Sequence, residues 1–138
     1  MAIYQGVCKS FKRELLQGVH DLTTDVIKVA LFEDTAVLST DTTAYSATGE
    51  VGTSGYTAGG ATATPTINAV KQEVIVTFAN IAWTSSITTA RGALIYNSSQ
   101  SNKAIAVLNF GADRVHSGGT FTLTMPAVAS DFPVLKLV

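Results

Sequence analysis

The chain has 138 residues, of which 46% are hydrophobic and only 14% charged, and its formal net charge is -1. That length suits a single domain, and since about 25% charged residues is typical of soluble domains, this surface is short of charge. The apolar content argues against disorder and the scattered Lys and Arg against nucleic-acid binding, while no apolar run approaches the ~18 residues of a membrane helix.

The opening residues, Met1 to Gly6, show no basic stretch followed by an apolar one, so cytoplasmic synthesis without a secretory signal is expected. Cys8 is the one cysteine, which leaves no internal disulfide. Its neighbour Val7 suggests a buried thiol, although Lys9 and Arg13 are the kind of cations that activate an exposed one. Within an N-terminal segment, residues 1–24, Val7, Phe11 and Leu15 recur every fourth position, predicting a helix over residues 10–17 with Ser10 as cap and Gly18 as stop. From Asp25 the period changes to two, with Ile27, Val29 and Leu31 alternating with Lys28, Ala30 and Phe32, which predicts a strand covered on both faces.

Residues 34–66 are rich in Thr, Ser, Ala and Gly and read as a long loop or arm, a candidate contact surface. The other reading is an edge strand from Ala61 to Asn68, tolerating Pro65, behind a tightly folded loop. Strand signals then dominate: Val74 to Ala79, paired as a hairpin with Ala61 to Ile67 through a turn at Asn68 to Gln72, followed by Ile81 to Trp83. Thr88 to Tyr96 and Lys103 to Asn109 are joined by a polar connector, Asn97 to Asn102. Phe121, Leu123 and Met125 alternate with threonines until Pro126, and Val134 to Val138 must be paired if it is a strand. The expected fold is one all-β domain, an antiparallel jelly-roll-like sandwich of about seven or eight strands with one short N-terminal helix.

Chemistry is sparse. The glycines from Gly49 to Gly60 lack the lysine of a phosphate-binding loop, and Gly52-Thr53-Ser54-Gly55 misses the spacing of a nucleophile elbow. His20 and His116 are the only histidines and belong to no catalytic pattern, and with one cysteine they make structural zinc improbable. Asp34, Asp41, Glu50 and Asp113 do not alternate as in a calcium loop. No catalytic residue, cofactor or metal is therefore expected. Trp83, Tyr45, Tyr56 and Tyr96 have the ring chemistry to stack on a sugar, but Trp83 reads better as a core residue of a strand. Asn97-Ser98-Ser99 matches a glycosylation sequon and, without a secretory signal, reads as a turn.

Asp25 to Phe32, Gly55 to Gly60, and above all Ala90-Arg91-Gly92-Ala93-Leu94-Ile95-Tyr96-Asn97 with Ala104 to Gly111 resemble small virion structural proteins of tailed bacteriophages. The likeness runs from about Phe11 to Val138, and members of that group look like capsid cement, or decoration, proteins with a jelly-roll fold. It implies a non-enzymatic protein on the capsid exterior, bound to the major capsid protein and to itself as a homodimer or homotrimer. It carries over no active-site residue. Contacts with these partners are expected from the N-terminal segment and the loop, through Ile3, Tyr4, Val7, Phe11, Tyr45 and Tyr56. The alternative is a tail or head-fibre component with a glycan-binding β domain.

Overall fold

The computed structural model describes residues 3–52, 56–70, 72–83, 87–116, 120–125 and 135–137. Ser54, Pro126, Val134 and Val138, to which sequence reasoning attached roles, lie outside them. The chain is an all-β antiparallel sandwich with one α-helix. In chain order its elements are β1 (Gly6–Val7), α1 (Lys9–Leu16), β2 (Ile27–Phe32), β3 (Ala61–Ala63), β4 (Pro65–Val70), β5 (Glu73–Phe78), β6 (Ile81–Trp83), β7 (Ile87–Asn97), a 3-10 turn over Ser98–Gln100, β8 (Lys103–His116), β9 (Phe121–Leu123) and β10 (Leu135–Leu137).

The largest sheet runs in the order β1-β8-β7-β2-β3. Its spine is the β7–β8 hairpin, whose register sets Leu94 opposite Val107 and Ala93 opposite Leu108. The expected polar connector is here the 3-10 turn followed by Ser101 and Asn102, both with positive φ. β2 joins β7 with Val29 opposite Ile95. Its side chains are buried on both faces, as the nearly unbroken run Ile27 to Phe32 requires of a central strand. A second sheet, β10-β5-β4, pairs Ile67 with Val76 and Leu135 with Val76 on its other side, so the C-terminal run is paired. β4 continues to Val70, into the Asn68 to Gln72 stretch expected as the turn of the β4–β5 hairpin. β6 and β9 form a two-stranded ribbon with Trp83 opposite Phe121. Buried side chains of all three sheets, among them Leu31, Leu94, Ile105, Phe78, Trp83 and Leu135, form one core.

The helix starts one residue earlier than its periodicity predicts, and Ser10 is not its cap. Cys8 holds that position without a side-chain hydrogen bond, and the Lys9 N–H instead donates to the carbonyl of Thr40 at 2.8 Å. A loop carbonyl thus satisfies one of the N-terminal donors that the helix itself leaves unpaired. The predicted stop holds: Gly18 has φ +73°, its N–H donates to Leu15 and that of Val19 to Glu14, the paired closure that a left-handed residue permits.

Residues 34–52 and 56–60 are folded against the sheet. The Val51 N–H donates to the Leu31 carbonyl and that of Glu33 to Gly49, so the loop continues the β2 edge beyond β3. Ala61 to Asn68, expected as one strand, is split at Thr64 into β3 and β4, which belong to different sheets. Gly60 makes the close approach possible: with φ +82°, a Cβ there would lie 1.8 Å from the Val29 carbonyl oxygen.

Candidate functional site

Two polar clusters and one apolar groove are the features that offer more than packing. The first cluster centres on Glu50. One carboxylate oxygen accepts from the Tyr45 hydroxyl at 2.6 Å, the other from the Tyr56 hydroxyl at 2.7 Å and the Gly59 N–H at 2.8 Å. Tyr56 in turn accepts the Leu31 N–H of β2, and Tyr96 of β7 donates to the Gly59 carbonyl. The Tyr45 and Tyr96 rings stack with centroids 4.6 Å apart. Burial raises all three phenols above the ordinary tyrosine value, and the Glu50 charge raises each further. They are neutral hydrogen-bond donors that lock the loop to the sheet, and no phenolate nucleophile or base results.

The second cluster lies where α1 and residues 19–26 meet the end of β7. The His20 side chain is fully buried, with Nε2 3.0 Å from Glu14 and Nδ1 3.0 Å from the Asn97 amide nitrogen. Asn97 is oriented by its own carbonyl oxygen, which accepts the Ser99 N–H. Its amide therefore donates, to His20 and to Asp25 at 2.8 Å, which makes Nδ1 an acceptor and leaves Nε2–H to donate to Glu14. Hydrogen bonds from the Asp21 N–H and from Asn97 hold the Asp25 carboxyl below the usual carboxylate value. This Glu–His–Asn chain has the parts of a base and its orienting group, but lacks a nucleophile. Cys8, buried nearby, directs its thiol at the Ser39 carbonyl, and burial, with the Glu14 charge, pushes it up to about 11. With Asn97 wholly buried and its amide used twice, the sequon carries no available acceptor. His116 lies at the end of β8 opposite Ile87, far along the strand from this cluster.

The six expected contact residues divide sharply. Ile3 packs over Gly92 in the core, Phe11 lies tilted against His20 with ring centroids 4.8 Å apart, and Tyr45 and Tyr56 serve the Glu50 cluster. Val7 is half-buried and Tyr4 is 64% exposed. Of the six, Ile3, Phe11 and Tyr56 are buried in the domain, Tyr45 is half-buried like Val7, and Tyr4 alone is exposed. Trp83 is buried between Tyr56 and Phe121. Among the described residues no group of three His, Cys, Asp or Glu could hold a metal ion.

Sequence reasoning missed the groove. It lies between α1 and the β4–β5–β10 sheet, has a volume of about 660 Å³, and is lined by Leu15, Leu16, Leu22, Ile67 and Val74 with Lys12 and Asp21 at its rim. A shallower depression of about 540 Å³ continues it along Val26, sharing Leu22 and Ile67. Its one sequence signal was Leu16, an apolar residue next to Leu15 and therefore off the buried stripe of a short helix. Comparison of the chain with protein-family models, curated proteins and solved structures finds no match.

Proposed function

We propose that this chain is a non-enzymatic virion structural protein of a tailed bacteriophage, a capsid cement protein that binds the outside of the major capsid protein shell and stabilises it. The observation that carries the proposal is where the reactive side chains point. Cys8, His20, Glu50 and three of the four tyrosines are committed to hydrogen bonds or packing inside the domain. The chain is poor in charge, and among the described residues Tyr4, Leu16, Val37 and Val115 are apolar side chains that face outward. Surfaces of that kind suit close packing against other chains, and repetition over a symmetric shell multiplies a modest contact. The resemblance of the β2 and β7–β8 segments to virion proteins supports the same reading.

The glycan-binding alternative loses its platforms, since Trp83 is buried and Tyr45, Tyr56 and Tyr96 are tied to the loop. The test is the copy number of this chain in purified particles, by quantitative mass spectrometry against the major capsid protein. The expected result is a number comparable with that of the capsid protein. A handful of copies per particle would move the chain to the tail or a fibre, and absence from particles would overturn the virion reading.

A further inference from the structure

We propose that the groove between α1 and the β4–β5–β10 sheet is a self-association surface that receives α1 of a second copy of this chain about a two-fold axis. The residue at the centre of this surface is Leu16. The last residue of α1, it is 91% exposed, the most exposed large apolar side chain among the described residues, and it stands at the lip of an apolar groove. A protruding leucine and a cleft of matching chemistry therefore occupy one patch. That is the condition for an isologous contact, in which each partner supplies both the knob and the hole. A patch built for an unrelated protein needs only one of them.

The charges follow the same rule. Lys12 and Asp21 sit at the groove's rim, and no ion pair joins them within the chain; Lys9 pairs with Asp41 and Arg91 with Asp113, while the Asp21 carboxylate accepts hydrogen bonds from the neighbouring Thr23. Across a two-fold axis each Lys12 meets Asp21 of the second copy, so one cation and one anion per chain form two equivalent pairs. The apolar surface continues through Ile67, 48% exposed, and Val26 along the adjoining depression, extending the patch beyond the helix.

The self-association proposed here does not depend on binding to a capsid. Sedimentation equilibrium of the full chain over a range of concentrations is expected to show a dimer. Leu16→Glu should weaken it by about 30-fold or more, the loss typical of a central interface residue. Leu16 is 91% exposed, so the substitution removes little packing within the chain and circular dichroism should be unchanged. Lys12→Asp and Asp21→Lys should each weaken the dimer by placing like charges together, and the double variant should restore it. That rescue is an outcome a purely structural role for either residue would not produce. A chain that stays monomeric at every concentration, forms a trimer, or dimerises undiminished as Leu16→Glu overturns the proposal. A monomer found in high copy number on particles would do so while leaving the cement reading intact.

Discussion

Replacing Glu50 with alanine tests whether the long loop is held by a single carboxylate. The change deletes the acceptor of three hydrogen bonds, from Tyr45, Tyr56 and the Gly59 N–H, all partly buried. A hydrogen bond to a charged group contributes about 1.5–3 kcal/mol, and donors that share one acceptor are not additive, so the net loss should be about 3 kcal/mol. For a domain of this length each kcal/mol lowers Tm by about 3 °C, giving a fall of about 10 °C by calorimetry or circular dichroism. A second readout is independent of stability. Because burial and then Glu50 raise the tyrosine phenols, the native wild type should show fewer tyrosinates by ultraviolet absorbance above pH 10 than the unfolded chain, and Glu50→Ala should recover part of the difference. The linked stability is complete below the unfolded tyrosine value of 10.0 and is lost as pH rises above it. A fall in Tm below about 2 °C, together with an unchanged phenol titration, would refute the carboxylate as the organising group.

Two further outcomes follow from the close approach of Gly60 and the burial of Cys8. Gly60→Ala drives a Cβ into the Val29 carbonyl and should cost more than about 3 kcal/mol, whereas Gly111→Ala, at a similar φ of +79° but facing open space, should cost only about 1 kcal/mol; equal losses in thermal unfolding would show that φ alone governs both. With its thiol pushed up to about 11 and buried, Cys8 should resist iodoacetamide in the native protein at mildly alkaline pH and react once the chain is unfolded in denaturant, as read by mass spectrometry.

Wherever neighbouring residues alone carry the signal, the sequence was sufficient. The two-residue period from Ile27 to Phe32 and from Phe121 to Leu123 reports which faces of a strand are covered. Gly18 ends α1 because only a residue at ease with positive φ closes the last turn. The polar connector after Asn97 announced the β7–β8 hairpin, and the surplus of apolar over charged residues announced a folded core. These are local or compositional properties, and they suffice for an all-β antiparallel fold with one helix.

Only the tertiary structure decided what the polar residues do. Asn97 meets His20 across 77 positions and Tyr96 meets Gly59 across 37, separations over which no pattern in the chain specifies a partner. The same holds for the split of Ala61 to Asn68 between two sheets, which depends on Gly60 lying against β2 and on β5 pairing with β4. Phe11 and Tyr56 have the same composition whether they face a partner or the core. Packing placed them inward, and it left Leu16 outside beside an apolar groove, because an eight-residue helix has one face to bury and Leu16 does not lie on it.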